Sequence, residues 1–231
     1  MDLVQLGVNF FVALFALIDP VGNIPLFAAA TSDATSAQRR QIAIYITIFS
    51  VLFLAFFHVT GLWLLRFFGI SLPAFRIAGG VLLFLLGLDM TRSDFLSVFA
   101  GVESGGPSDA EGYARRRFEK LLVPFAMPLL IGPGAISTVI IQAGEAQTHA
   151  HGWAGHIVGL CAIAAVGLTM LASFFASAAL SRLLGKVGMA IVVRVLGLVL
   201  CAMAVQFVLA GANESTRGLI RPAVAQPYTH P

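Results

Sequence analysis

Long apolar stretches alternate with short polar ones along nearly the whole chain. A bilayer core of roughly 30 Å needs about 20 apolar residues per crossing helix. Stretches of about this kind cover residues 3–30, 42–65, 75–88, 121–143, 155–180 and 189–210. The first is interrupted by Asp19-Pro20-Val21-Gly22-Asn23-Ile24-Pro25, and the fourth around Ile131-Gly132-Pro133-Gly134. This pattern predicts an all-α membrane protein of six transmembrane helices, with helices 1 and 4 discontinuous. Residues 1–231 then form a single transmembrane domain: a first half at 1–88, a flexible cytoplasmic linker at 89–120, a second half at 121–210 and a loosely ordered tail at 211–231.

Composition supports a lipid environment. Hydrophobic residues make up 58% of the chain and charged residues 11%, against about 25% charged in a typical soluble domain. The net charge of +3 does not point to nucleic acid, because Lys and Arg fall in short clusters between apolar runs rather than in a stripe with aromatics. Loops 31–41, 89–120 and 181–188 hold nine Lys and Arg and the opposite side four. The positive-inside rule then puts both termini outside. Cys161 and Cys201 lie inside apolar runs and read as small buried hydrophobes.

The two halves resemble one another. Arg76-Ile77-Ala78-Gly79-Gly80-Val81-Leu82 matches Arg194-Val195-Leu196-Gly197-Leu198-Val199-Leu200 in Arg, Gly, Val and Leu, 118 positions apart. Gly22-Asn23-Ile24 matches Gly134-Ala135-Ile136 in Gly and Ile, 112 apart. Three spans per copy is an odd number, so the second copy enters the membrane from the other side and the repeat is inverted. Interrupted helices at corresponding positions of two such halves are the sequence pointer to a transporter binding site.

Pro20, Pro25 and Pro133 cannot donate a backbone hydrogen bond, and the glycines permit non-helical torsions. Backbone freed in this way at membrane depth must be buried in protein or line a wet cavity. The restarting half-helices are expected to aim their N-termini at the midplane, where free N–H groups hold an anionic group such as an amino-acid carboxylate. Asp19 is the acid nearest the centre of a span, and an acid there suggests function by default. It is a candidate to bind a substrate ammonium, coordinate a cation or carry a proton, or to cap the local turn. Asn23 has the same two readings, capping the half-helix or meeting substrate.

Other signals are weaker. Thr169, Ser173, Ser177 and Ser181 recur every four residues and read as a packing seam. His58 reads as an interhelical hydrogen-bonding group with proton relay as the alternative, and Arg76 and Arg194 as snorkelling residues. His149, His151 and His156 share a loop without a ligand spacing, so neither a metal nor another cofactor is expected.

The segment Phe15-Ala16-Leu17-Ile18-Asp19-Pro20-Val21-Gly22-Asn23-Ile24-Pro25-Leu26-Phe27, with Pro128-Leu129-Leu130-Ile131-Gly132-Pro133-Gly134-Ala135-Ile136-Ser137-Thr138, resembles the MarC family, also called SnatA-type. The resemblance covers nearly the whole chain. It implies a six-helix inverted-repeat fold in the bacterial plasma (inner) membrane and transport of small neutral amino acids such as glycine, alanine and threonine. It places the substrate site at Asp19, Pro20, Gly22, Asn23, Gly132, Gly134, Ser137 and Thr138. The second motif carries no carboxylate opposite Asp19, which counts against a symmetric two-acid ion site. The implied partners are a neutral amino acid and the lipid bilayer, with a homo-oligomer left open and no nucleic acid.

An intramembrane enzyme is the competing class. The chain has no HExxH, GxSxG or CxxC, and a single central acid cannot supply an aspartyl dyad, so no enzymatic activity is expected. A non-transporting scaffold or regulatory protein is the other alternative, and the broken helices count against it.

Overall fold

The computed structural model describes residues 2–32, 34–92, 110–121, 125–127, 130–148 and 152–216. Every regular element among them is helical: α1 (Leu3–Ile18), α2 (Ile24–Ala30), α3 (Ser36–Phe67), α4 (Leu72–Thr91), α5 (Ala110–Leu121), α6 (Pro133–Thr148) and α7 (Gly152–Thr216). Inside α7, Gly185 takes φ 60°, ψ −175° and divides the helix into two arms. Four segments are long and apolar enough to cross a membrane: α3, α4, the first arm Trp153–Ser177 and the second arm Ala190–Thr216. α1 and α6 have 16 residues each, about 24 Å of helix, because a break cuts each of them short.

Local sequence sets these boundaries. Thr35 and Gln38 form a reciprocal capping box that starts α3. Its far end closes on Gly69, whose φ of 66° lets Gly69 N–H reach Arg66 O and Ile70 N–H reach Leu65 O, the Schellman arrangement. The Ser71 hydroxyl then accepts the Ala74 N–H and opens α4 with Pro73 in its first turn. α3 and α4 are therefore joined by a tight link.

α4 and the second arm of α7 run antiparallel in close contact. A Cβ on Gly80 would lie 2.8 Å from Ala204 O, and one on Gly87 would lie 2.8 Å from Gly197 O. Small residues let backbones approach this closely between membrane helices. Arg76, expected to snorkel, instead bridges to Glu214 at 2.8 Å, tying the start of α4 to the end of the second arm. α3 packs antiparallel on the first arm, with Gly159 against the His58 ring and Gly167 against Val51.

Large apolar side chains point outward along the long helices. Val4, Val8 and Val12 on α1 are 70%, 54% and 57% exposed, and Ile48, Leu52, Phe56, Val59 and Trp63 form a similar stripe on α3. Such a surface suits lipid, where hydrocarbon takes the place of water.

Two expectations change. Residues 110–121, within or adjoining the stretch read as a flexible linker, form the helix α5, whose Arg117 is fully buried against the core; residues 93–109 of that stretch lie outside the described residues. The tail expected from residue 211 begins later, since the second arm remains helical to Thr216 and bonds Ser215 and Thr216 back to Gly211 and Ala212. Residues 217–231 lie outside the described residues.

Candidate functional site

The first break is a compact, self-satisfied turn. Asp19 ends α1 at φ 44°, the one non-glycine residue with positive φ among the described residues, a conformation that Asp tolerates better than most residues. Its Oδ1 accepts the Gly22 N–H at 3.0 Å. A Cβ at position 22 would overlap the Asp19 carboxylate, so a side chain there would push that carboxylate out of its bond. Asn23 is buried, and its Nδ2 donates to Ile18 O at 2.8 Å and Asp19 O at 3.1 Å. It thereby satisfies the Ile18 carbonyl, which the end of α1 leaves free, and adds a second bond to Asp19 O, which already accepts the Asn23 N–H. The capping reading of Asp19 is realised, whereas Asn23 makes no side-chain cap to α2 and closes the end of α1 instead.

The other end of α2 is held by two arginines. Arg117 of α5 donates from Nε and Nη2 to Ala30 O at 3.0 and 2.7 Å, and Arg39 of α3 donates to Thr31 O at 3.0 Å. Cations are favourable at a helix C-terminus, and charge-assisted bonds are roughly twice as strong as neutral ones. Phe27 of α2 stacks on Phe174 of the first arm at 4.3 Å between centroids and meets Phe125 at 6.2 Å. This short helix is fixed at both ends and along its side.

The second break begins with a wide turn in which Ile131 N–H donates to Ala126 O at 3.0 Å, an i→i+5 bond of the π type. Pro133 then opens α6, where its missing N–H costs nothing. Ser137 is buried and spends its hydroxyl on Pro133 O at 2.6 Å. A Cβ on Gly134 would overlap the Phe207 ring, and one on Gly79 would overlap Pro133. Packing against neighbouring helices demands both glycines.

A small cavity of about 40 Å³ lies beside the first break, bounded by Asp19, Gly22, Asn23, Met90, Leu196 and Met203 among others. It has room for a water molecule and not for an amino acid. Of the eight residues expected at the site, Asp19, Gly22 and Asn23 line it. Pro20 is buried in the same turn. Gly132, Gly134, Ser137 and Thr138 stand elsewhere: their break meets α4 at Gly79, eleven positions before Met90, or about 16 Å of helix. Among the described residues, none of the second break lines the cavity beside the first.

Sequence reasoning marked Leu196, Val199 and Leu200 only as part of the repeat and not as site residues, and singled out neither Met90 and Met203 nor Arg117, which looks like part of a basic loop cluster. It also missed that His156 faces His58, with His156 Nδ1 3.4 Å from His58 Nε2. His149 and His151 of the same loop lie outside the described residues.

Apolar helices of crossing length, outward apolar stripes and a satisfied helix break inside the bundle define an integral multi-pass membrane protein. The MarC family integral membrane protein model matches residues 4–216, and the chain belongs to that family. It is similar to a UPF0056 membrane protein of Aquifex aeolicus, 34% identical over 209 residues that cover 90% of this chain and 93% of the relative. A UPF0056 membrane protein of Methanocaldococcus jannaschii is 34% identical over 91% of this chain and 97% of its own. The UPF0056 membrane protein YvbG of Bacillus subtilis is 32% identical over 88% and 92%. No solved structure matches.

Proposed function

We propose that the protein is a secondary transporter of small neutral amino acids, of the glycine, alanine and threonine class, working by alternating access in the bacterial inner membrane. The reading takes the chain as six spans in two inverted halves with both termini outside. One observation supports it: each break lies against both α4 and the second arm of α7. The second break rests on Gly79 and Phe207, and the first faces Leu196 and Met90. Gly79 shifted by the 118 positions that relate the two arginine motifs falls at Gly197, beside Leu196. Phe207 shifted back falls at Asp89, beside Met90. Paired breaks placed by such symmetry are the arrangement in which two halves rock about a central site.

Asp19 is the acid at the cavity and the group to receive a substrate ammonium. A cavity of about 40 Å³ corresponds to a closed conformation, and admission of substrate requires α4 and the second arm to move away from the turn at residues 19–23. The test is uptake of radiolabelled alanine, glycine and threonine into proteoliposomes, with and without an imposed pH gradient. Saturable uptake that collapses when Gly22, which lines the cavity, is replaced by a bulky residue in protein that still folds supports the reading. No uptake of any of the three by folded protein sinks it, in favour of another solute or a non-transporting scaffold.

A further inference from the structure

We propose that His58 and His156 form a proton-binding site at the interface of α3 and the first arm of α7, and that this pair, rather than Asp19, takes up the coupling proton. The coupling role rests on the transport reading; proton binding by the pair does not.

His58 is 1% exposed within a membrane-crossing helix, in its last third. Its Nε2 lies 3.4 Å from His156 Nδ1, with the rings nearly perpendicular at 78°. Phe10 of α1 stacks on its other side at 6.2 Å, and a Cβ at Gly159 would lie 2.5 Å from its Cε1. The bundle is built around this ring. Among the described residues His156 is the one titratable or charged group acting on it, while α1 contributes Phe10 and α6 the Val139 backbone.

A neutral imidazole has one donor and one acceptor nitrogen. Two neutral rings in this contact share a single N–H···N bond. Either arrangement leaves His58 Nδ1, buried and without a hydrogen bond, as an unmet donor or an unmet acceptor, at a cost of about 1–3 kcal/mol. One added proton turns this shared N–H···N contact into a charge-assisted bond, roughly twice as strong as a neutral one. His58 then donates from Nε2 to His156 Nδ1. A second proton would place two like charges in contact, which is strongly disfavoured. The pair therefore binds one proton and titrates as a unit.

The approach for the proton is through His156. His156 is half-buried, with Trp153 at 6.4 Å between ring centroids, and tryptophan is enriched at the membrane–water boundary. On the same face of α3 as His58, the Ser50 and Thr47 hydroxyls are buried without protein partners, and Thr47 faces Gly167 of the first arm. Buried hydroxyls of this kind are where ordered water sits. Asp19 differs: its carboxylate already accepts the Gly22 N–H, a task that the charged form performs without any proton.

The test is ¹⁵N-histidine NMR of the full chain in lipid nanodiscs between about pH 5 and 8, for wild type, His58→Gln and His156→Gln. The expected result is that His156→Gln moves the His58 midpoint by about one pH unit or more, as for groups that titrate together. Midpoints unmoved by loss of the partner, or no proton uptake by either ring, overturn the site. His156 is only half-buried, so its variant decides the matter even where His58→Gln fails to fold. For coupling, the ratio of alanine uptake with and without a pH gradient falls to one in either variant. A ratio kept there and lost in Asp19→Asn overturns the coupling role. No alanine uptake by any folded version removes the transport reading, and the NMR midpoints alone then decide the proton site.

Discussion

Arg117 reaches across to α2 and bonds the carbonyl oxygen of Ala30 through both Nε and Nη2, at 3.0 and 2.7 Å. A charged side chain from the segment between the two halves thus closes the short helix that follows the first break. Arg117→Ala leaves the Ala30 carbonyl without this partner. Its expected cost is about 1.5–3 kcal/mol, the range for hydrogen bonds to charged groups, read by thermal unfolding in detergent. Arg117→Lys recovers part of the loss, since an ammonium keeps the charge but not the two-nitrogen fork. An Arg117→Ala protein as stable as wild type would show that α5 plays no part in holding α2.

Asn23 gives a second test of the same helix. Its amide donates to both Ile18 O and Asp19 O, so Asn23→Asp replaces a double donor with a carboxylate facing two carbonyl oxygens. Asn23→Asp is expected to destabilise more than Asn23→Ala, although it is the smaller change in shape. The alanine variant should lose about 1–3 kcal/mol, and equal unfolding temperatures for the two variants would contradict the assignment.

Much of the fold is legible in the sequence, and where it is legible the signal is local. The breaks fall at Pro20, Gly22, Pro25, Gly132 and Pro133, because proline fixes φ and removes a donor while glycine permits torsions that other residues avoid, both effects of the residue itself. Asp19 is recognisable as a capping group because its bond is local too, whereas Asn23, expected to cap α2, bonds the end of α1. What depends on distant partners is not legible. Arg117 and Ala30 are 87 positions apart, and His58 and His156 are 98 apart. A basic run in a polar segment looks the same whether it faces water or a helix end. Likewise, Gly134 and Ser137 looked like binding residues because they stand at a break, while the fold spends the glycine on the Phe207 ring and the hydroxyl on Pro133 O.

The crossing of α4 with the second arm of α7 is set by glycines. Cβ atoms on Gly87 and Gly80 would come 2.8 Å from Gly197 O and Ala204 O respectively, and a backbone carbonyl cannot swing aside as a long side chain can. Gly87→Ala is therefore expected to cost about 1–3 kcal/mol as overpacking, and Gly80→Ala a similar amount. The same substitution at Gly144, where the added atom would meet Leu62 Cδ1 at 3.5 Å, should cost little. Thermal unfolding of the three variants side by side gives the comparison, and equal losses at all three would mean that the crossing is looser than drawn.

Asp19→Asn separates the roles assigned to the first break. The amide oxygen of asparagine can still accept the Gly22 N–H, and asparagine is also among the residues that tolerate the left-handed conformation Asp19 adopts. The turn should survive, with unfolding shifted by less than about 1 kcal/mol, the scale of one net hydrogen bond. What the substitution removes is the negative charge at the cavity. If that charge receives a substrate ammonium, the apparent affinity for alanine falls by about tenfold or more, since a charge-assisted contact contributes about 1.5–3 kcal/mol and 1.4 kcal/mol is tenfold. The dependence of uptake on the pH gradient should persist, because the histidine pair is untouched. Unchanged affinity in a folded Asp19→Asn protein would reduce Asp19 to a helix cap and move the search for the ammonium site to the carbonyls around the breaks.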